Sequence, residues 1–209
     1  MKGVYLVTDR GLCGGRSLAD VVLEAVRGGV SCVQLREKTF STRDFVAEAL
    51  AVRELLRPFP VPLIINDRID VALAGGADGV HIGGDDMPYD VARRLMGERA
   101  IIGVSVETWD DVEYFQGRDV SYIAASPVFA TPTKTDTGRP WGLEGLRAIK
   151  SFSRHPLVAI GGINESNARE VVEAGADSLA VVSAVCAADD PEKAARRLRD
   201  IVDAATAKS

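Results

Sequence analysis

Cysteine and histidine are scarce in this sequence, with three and two among 209 residues. Cys13, Cys32 and Cys186 have no metal-binding spacing, so reduced thiols, typical of the cytoplasm, are expected. The N-terminal apolar run is too short for a signal peptide, and no apolar run approaches the ~20 residues of a membrane span. The net charge of −5 argues against non-specific nucleic-acid binding. We therefore expect a soluble, cytoplasmic protein with neither a membrane nor a nucleic acid as partner.

The chain alternates short apolar segments with longer amphipathic ones, such as TRDFVAEALAVRELL at 42–56. Eight segments have the character of strands: Val4–Thr8, Cys32–Arg36, Pro62–Asn66, Gly79–Ile82, Ile101–Ser105, Tyr122–Ala125, Leu157–Ile160 and Ser178–Val182. Helical segments separate them without a hairpin signal, which predicts an α/β fold with a parallel sheet. Eight such units favour a single (β/α)8 TIM barrel domain over residues 1–209, with a doubly wound open sheet as the alternative.

Polar residues or glycines follow seven consecutive predicted strands. The stretch QLREK at 34–38 is unusual because Gln34, Arg36 and Lys38 alternate on one face of a strand that should be apolar. Later strand ends carry Asn66, Asp67, Asp85, Asp86, Ser105, Thr131, Thr133, Lys134, Gly161, Gly162 and Ser183. One such residue would be interpreted as a cap or turn. Together they predict a site at the C-terminal ends of the barrel strands.

The residue types at these ends indicate phosphate chemistry. Arg36, Lys38 and Lys134 are cations suited to phosphate oxygens. Asp67 and Asp86 are hard oxygen ligands on neighbouring strand ends, which suits Mg²⁺. Asp86 could instead start the next helix, and this alternative stays open. Because the net charge is negative, cations gathered beside a metal point to a diphosphate.

A second anion site is predicted after the seventh strand. Gly161 and Gly162 would present backbone N–H groups, with Asn164 as the cap of the following helix. His81 lies within a strand and His155 at the opposite end of one, so both are interpreted as structural. No nucleophile paired with a base is apparent.

Taken in order, the motifs resemble those of thiamine phosphate synthases, also called thiamine-phosphate pyrophosphorylases: VYLVTDR, QLREK, IINDR, GVHIGGDDMP, IGVSV, SPVFATPTKTD, AIGGI and AVVSA. The resemblance covers nearly the whole chain. It implies a Mg²⁺-dependent transferase of thiamine biosynthesis that joins hydroxymethylpyrimidine diphosphate to hydroxyethylthiazole phosphate. The implied mechanism is a dissociative substitution, in which diphosphate leaves, a pyrimidine-stabilised cation forms and the thiazole nitrogen captures it.

The resemblance also implies residue roles. The diphosphate and pyrimidine would be bound by Gln34, Arg36, Lys38, Asn66 and Lys134. Mg²⁺ would be bound by Asp67 and Asp86, and Ser105 matches the serine of the GVS motif near the substrates. The thiazole phosphate would be bound by Thr131, Thr133, Gly162, Val182 and Ser183. The residues expected to act in catalysis are Arg36, Lys38, Ser105 and Lys134.

Two departures leave every charge and metal ligand in place. Gly84 replaces a common glutamine, and AASP at 124–127 replaces a common Gly-x-Gly-Pro turn. Among the alternatives, thiazole tautomerases share the barrel but use a histidine where Pro127 stands. A catalytically inactive regulatory barrel would be expected to have lost a metal ligand or a cation. A generic phosphate-binding isomerase would leave Asp67 and Asp86 without a task. The sequence leaves the oligomeric state open.

Overall fold

The computed structural model describes residues 2–131 and 138–207. Across these residues, parallel strands form a closed barrel in sequence order: β1 (Gly3–Val7), β2 (Val30–Leu35), β3 (Leu63–Asn66), β4 (Gly79–Ile82), β5 (Ile101–Val106), β6 (Tyr122–Ala125), β7 (Leu157–Ile160) and β8 (Ser178–Val181). β1 pairs with both β2 and β8. The predicted (β/α)8 barrel is confirmed, and the open doubly wound sheet is wrong because the sheet has no free edge.

Helices connect the strands: α1 (Leu18–Arg27), α2 (Thr42–Leu56), α3 (Ile69–Gly75), α4 (Tyr89–Met96), α5 (Trp109–Gln116), α6 (Gly142–Phe152), α7 (Ala168–Glu173), α8 (Ser183–Cys186) and α9 (Pro191–Thr206). The side chains of Ser17, Ser41, Thr108 and Asp190 accept backbone hydrogen bonds that begin α1, α2, α5 and α9. Apolar residues of each helix pack on the barrel. Within the described ranges, no helix is long and apolar enough to cross a membrane.

The core has two layers, because strand side chains alternate between the outside and the inside of the barrel. On β1, Val4 and Leu6 pack under the helices, whereas Tyr5 and Val7 belong to the interior cluster. The interior cluster consists of Tyr5, Val7, Cys32, Ile64, Tyr122, Ala124, Val158 and Ala180. The barrel is therefore filled at its centre, and its two interior tyrosines bring hydroxyl groups into the space below the predicted site.

The boundary of β2 differs from the prediction in a way that matters for the site. The strand ends at Leu35, so Gln34 lies in the strand but Arg36 and Lys38 follow it. At this point the backbone N–H of Arg36 donates to the Thr8 hydroxyl at 3.0 Å, instead of continuing the strand pairing. The prediction that all three alternate along one strand is thus wrong for Arg36 and Lys38.

A stability prediction follows from the close approach of β4 and β5. A Cβ added at Gly79 would overlap the carbonyl oxygen of Ile101 in the neighbouring strand. We expect Gly79→Ala to lower the free energy of unfolding by about 1–3 kcal/mol or more, measured by urea denaturation, because the two backbones must separate. Gly117→Ala is the matched control, since nothing lies within 4 Å of its added methyl and its φ is −85°. Equal stability of the two variants would contradict this account.

Candidate active site

The C-terminal ends of the strands surround a cavity of about 1130 Å³. This is at or above the upper end of the usual range for small-molecule sites, so two small ligands fit the space. The predicted site residues in the described part of the chain all line it: Gln34, Arg36, Lys38, Asn66, Asp67, Asp86, Ser105, Thr131, Gly162, Val182 and Ser183. Thr133 and Lys134 lie outside the described residues. The barrel thus brings together groups that seven separate segments supply.

Cations enter the cavity from the segment after β2. The Arg36 guanidinium lies 3.6 Å from Asp9 Oδ2, a distance that leaves it free to reorient toward an anion. The Lys38 ammonium donates to Asp67 Oδ2 at 2.6 Å. Both side chains are partly exposed, at 25% and 55%. Two positive charges therefore flank the entrance beside the carboxylates.

Glu37, between these two cations, anchors the same segment from the other side. Its carboxylate accepts from Arg10 Nε at 3.1 Å, and only 6% of its side chain is exposed. Burial raises the pKa of Glu37, while the neighbouring Arg10 opposes that rise. Arg10 also pairs with Glu48 at 2.9 Å and lies over the ring of Phe40. The glutamate of QLREK therefore holds the segment, a role that the sequence analysis missed.

Two carboxylates lie next to each other at the ends of β3 and β4. Asp67 has a φ of 62°, a left-handed conformation that non-glycine residues seldom adopt, and its N–H donates to the His81 carbonyl at 2.8 Å. Asp86 accepts from the N–H of Gly83 at 2.7 Å. Burial raises the pKa of Asp86, and the adjacent Asp67 raises it further, whereas the Gly83 N–H and Lys38 lower it. The pair is therefore a local concentration of negative charge that attracts a cation.

The alternative interpretation of Asp86 as a helix cap is wrong. α4 begins at Tyr89 with Pro88 as its N-cap and no side-chain cap, so the Asp86 carboxylate serves the turn before it. Among the described residues, no cluster of three or more histidine, cysteine or acidic side chains could hold a metal. A pair of carboxylates suits Mg²⁺, which takes one or two carboxylates and completes its shell with water and phosphate. The Lys38 ammonium holds the place of a cation at Asp67 and would move aside for the ion.

The opposite side of the cavity presents backbone groups. Gly161 and Gly162 follow β7 with φ values of 101° and 67°, a turn that favours glycine. α7 begins at Ala168 with Asn167 as its N-cap, so Asn164 caps the turn that leads into this helix and not the helix itself: its side chain accepts from the N–H of Ser166 at 2.9 Å and its carbonyl from the N–H of Ala168 at 2.9 Å. The helix N-terminus on this side belongs instead to α8, which begins at Ser183 directly after β8. A short helix at this point is common at phosphate sites of TIM barrels.

A chain of side-chain hydrogen bonds crosses the floor of the cavity. Gln34 Nε2 donates to the Tyr5 hydroxyl at 2.8 Å, which bonds the Tyr122 hydroxyl at 2.8 Å. The Tyr122 hydroxyl bonds His81 Nδ1 at 3.0 Å, and His81 Nε2 bonds the Ser105 hydroxyl at 3.0 Å. His81, predicted from the sequence to be structural, lies on the cavity wall. His81 has an inward position on β4 that matches the position of Gln34 on β2, and this match could have indicated from the sequence that it faces the cavity.

Burial keeps the two phenols of this chain neutral. It raises the pKa of Tyr5 and of Tyr122 well above the ordinary value of 10, and the pKa of Tyr5 rises further beside Tyr122. His155 lies elsewhere, with Nε2 bonded to the carbonyl of Phe115 at 2.9 Å. Each phenol on the cavity floor therefore has one hydrogen to donate.

The closed barrel and its cavity, with cations on one side and paired carboxylates at two strand ends, define a (β/α)8-barrel protein with a site suited to phosphorylated ligands. Residues 4–185 match the family described as thiamine monophosphate synthase. This chain belongs to that family, which confirms the resemblance found in the sequence motifs.

Individual proteins support the family assignment over nearly the full length. The chain is 62% identical over 201 residues to a thiamine-phosphate synthase of Albidiferax ferrireducens, covering 96% of this chain and 92% of that protein. It is 52% identical over 204 residues to one of Leptospira biflexa, covering 96% and 97%. The solved thiamine phosphate pyrophosphorylase of Pyrococcus furiosus has a TM-score of 0.89 at 40% identity, covering 97% and 96%. A solved 3-hexulose-6-phosphate synthase, at 20% identity and a TM-score of 0.63, shares the fold.

Proposed function

We propose that this chain is a thiamine-phosphate synthase, a transferase that joins hydroxymethylpyrimidine diphosphate to hydroxyethylthiazole phosphate and releases diphosphate. The observation that carries the proposal is the convergence on one cavity of Arg36 and Lys38 with the Asp67–Asp86 pair. Cations and a carboxylate pair serve a diphosphate leaving group, whereas an isomerase of monophosphates needs no such pair. Family membership at 62% identity to a relative of this name supports the same reaction.

The reaction breaks one bond and forms one bond. The bond between the pyrimidine methylene carbon and the diphosphate oxygen breaks, and the oxygen keeps the electron pair. The thiazole nitrogen then donates its lone pair to the carbon, so no proton is lost and no enzyme nucleophile is required. Arg36 and Lys38 stabilise the charge that grows on the diphosphate, which favours the transition state over the ground state. Lys134 is proposed to add a third cation.

Mg²⁺ is the proposed cofactor, held by Asp67 and Asp86, and when bound it supplies Lewis-acid stabilisation for the diphosphate oxygens. Lys38 pairs with Asp67 in the structure and is placed to pass from this carboxylate to the substrate diphosphate. Asp67 keeps the Lys38 ammonium beside the cavity before substrate binds, so the distance it must move to reach the diphosphate is short.

The remaining residues are proposed to position the two substrates. Gln34, Asn66 and Ser105 line the cavity and are assigned to the pyrimidine, with Ser105 proposed to contact it near the reacting carbon. The thiazole phosphate is assigned to the opposite side, which Thr131, Gly162, Val182 and Ser183 line. Thr133, which lies outside the described residues, is proposed to bind the same phosphate. This arrangement directs the thiazole nitrogen toward the carbon from which diphosphate departs.

The test is an assay of the purified chain with both substrates, with Mg²⁺ or with EDTA, following thiamine phosphate directly. We expect product in amounts equal to released diphosphate, and loss of activity in EDTA that returns with excess Mg²⁺. Folded protein that binds both ligands without forming product would contradict a synthase and favour a regulatory barrel. A tautomerase is disfavoured because Pro127, which cannot transfer protons, occupies the cavity wall where that activity would need a histidine.

A further inference from the structure

The hydrogen-bond chain on the cavity floor joins two residues assigned to the pyrimidine, and this inference rests on the proposed function. The chain contains five members in the order Gln34, Tyr5, Tyr122, His81 and Ser105. Its middle members are buried, with Tyr5 1%, Tyr122 0% and His81 9% exposed. Water therefore has little access to replace a lost partner, and each member depends on the next.

The two ends of this hydrogen-bond chain are coupled, because each member has a limited number of hydrogens to donate. Each phenol has one hydrogen, and a neutral imidazole has an N–H on one nitrogen. Gln34 Nε2 donates to the Tyr5 hydroxyl, and one order then gives each remaining hydrogen a partner: the Tyr5 hydroxyl donates to Tyr122 and the Tyr122 hydroxyl donates to His81 Nδ1. His81 then carries its hydrogen on Nε2 and donates to the Ser105 oxygen. The Ser105 hydroxyl hydrogen and the Gln34 carbonyl oxygen remain for a ligand in the cavity.

We infer that Tyr5, Tyr122 and His81 are positioning residues that set the hydrogen-bonding polarity of the site, presenting an acceptor at Gln34 and a donor at Ser105. The ligand chemistry that fits is an amino-substituted heterocycle, whose N–H donates to Gln34 and whose ring nitrogen accepts from Ser105. Reversing one end requires turning the Gln34 amide and moving every hydrogen along the chain. This hydrogen-bond chain therefore discriminates against a heterocycle with the opposite pattern of hydrogen-bond donors and acceptors, such as one with a carbonyl in place of the amino group.

The packing of the rings holds Tyr5, Tyr122 and His81 in fixed positions. Tyr122 stacks against His81 with centroids 5.7 Å apart and contacts Tyr5 edge-on at 5.9 Å, which restricts rotation of all three rings. A Cβ at Gly103 would overlap the ring and hydroxyl of Tyr122. β5 thus has a glycine where the phenol must lie, two residues before Ser105 on the same strand. Gly103 therefore leaves the space that the Tyr122 ring and hydroxyl occupy.

The experiment uses Tyr5→Phe and Tyr122→Phe, which keep the rings and remove one hydroxyl each. We expect the KM for the pyrimidine diphosphate to rise about tenfold or more, because a buried partner is left unsatisfied. Binding of inorganic diphosphate with Mg²⁺ should stay within about twofold, since no cation or carboxylate changes. Tyr89→Phe is the matched control: Tyr89 also borders the cavity, but its hydroxyl donates to the carbonyl of Asp119 at 2.6 Å and accepts from Arg93 Nε at 3.3 Å, outside the hydrogen-bond chain. It should resemble the parent protein in both measurements.

A second readout needs no substrate. The sequence has two histidines, so ¹⁵N imidazole spectra resolve His81 after His155→Gln assigns the other. We expect the hydrogen of His81 on Nε2 in the parent protein, and a mixture of tautomers in Tyr122→Phe. A hydrogen on Nδ1 in the parent protein would overturn the proposed direction.

The outcomes separate this inference from the proposed function. An active parent protein whose Tyr5→Phe and Tyr122→Phe variants match Tyr89→Phe would overturn the inference and leave the synthase intact. Equal losses of pyrimidine diphosphate and inorganic diphosphate binding would also overturn it, because they would indicate a general structural role. An inactive parent protein with His81 held as the Nε2–H tautomer would contradict the synthase while supporting the chain's polarity.

Discussion

Asp86→Asn is expected to lower kcat/KM for Mg²⁺-dependent thiamine phosphate formation by about a hundredfold or more, because a neutral amide replaces one of two anionic metal ligands. The stability should behave differently. Asparagine keeps an oxygen that can accept from the Gly83 N–H, and it removes a carboxylate that burial and Asp67 disfavour. We therefore expect the free energy of unfolding in EDTA to stay unchanged or rise. Initial rates over a range of pyrimidine diphosphate concentrations, repeated over a Mg²⁺ titration, together with urea denaturation in EDTA, measure both effects.

Asp85→Asn provides the control for the Asp86 variant. It removes the same charge one residue away, from an exposed side chain. Its activity should stay within about threefold of the parent protein, since long-range effects of exposed charges are screened by salt. Equal losses in the two variants would mean that the net charge of the segment matters and that Asp86 is no ligand. Parallel losses of activity and stability in Asp86→Asn would indicate a structural turn.

Arg36→Ala is the second substitution with a large expected effect. We expect kcat/KM for the pyrimidine diphosphate to fall about 100- to 1000-fold, because a positioned donor to the leaving group is lost. The fold should tolerate the change. The distant pair with Asp9 contributes at most about 1 kcal/mol, and the bond to Thr8 comes from the Arg36 backbone, which alanine retains. Steady-state kinetics and inhibition by inorganic diphosphate measure the loss.

Two further variants give the Arg36 prediction its specificity. Arg36→Lys should recover part of the activity, because it restores the charge but not the forked geometry that matches phosphate oxygens. Arg43→Ala removes an exposed arginine from the first turn of α2, outside the cavity, and should leave both measurements near the parent values. If Arg36→Ala retained kcat/KM within about threefold, the leaving-group role of Arg36 would be wrong.

The carboxylate pair proposed to bind Mg²⁺ was the part of the candidate site that the sequence predicted most directly. Asp67 and Asp86 follow consecutive strands, and consecutive strands of a parallel barrel are neighbours, so their ends had to lie close together. The cations were placed in the correct cavity for a partly wrong reason. Periodicity continued β2 through Arg36 and Lys38, but the Thr8 hydroxyl binds the Arg36 backbone and the chain leaves the sheet after Leu35.

The residues that sequence reasoning missed share a physical cause. The hydroxyls of Tyr5 and Tyr122 meet although 117 positions separate the residues, and His81 reaches Ser105 from the adjacent strand. No local pattern contains such contacts, because they depend on which residues face inward and on how far each strand is shifted against the next. Glu37 was missed for a similar reason, since its partner Arg10, which also pairs with Glu48, comes from a separate segment of the chain.

By itself, the sequence determined the order of strands and helices, the apolar face of each helix and the strand ends where polar groups gather. These features arise from local periodicity and from short-range turn and capping preferences, which neighbouring residues contain. Only the tertiary structure decided that β1 closes against β8, that Gly103 makes room for the Tyr122 phenol, and that a polar chain links Gln34 to Ser105. Those features depend on barrel closure and strand register, which all eight strands set together.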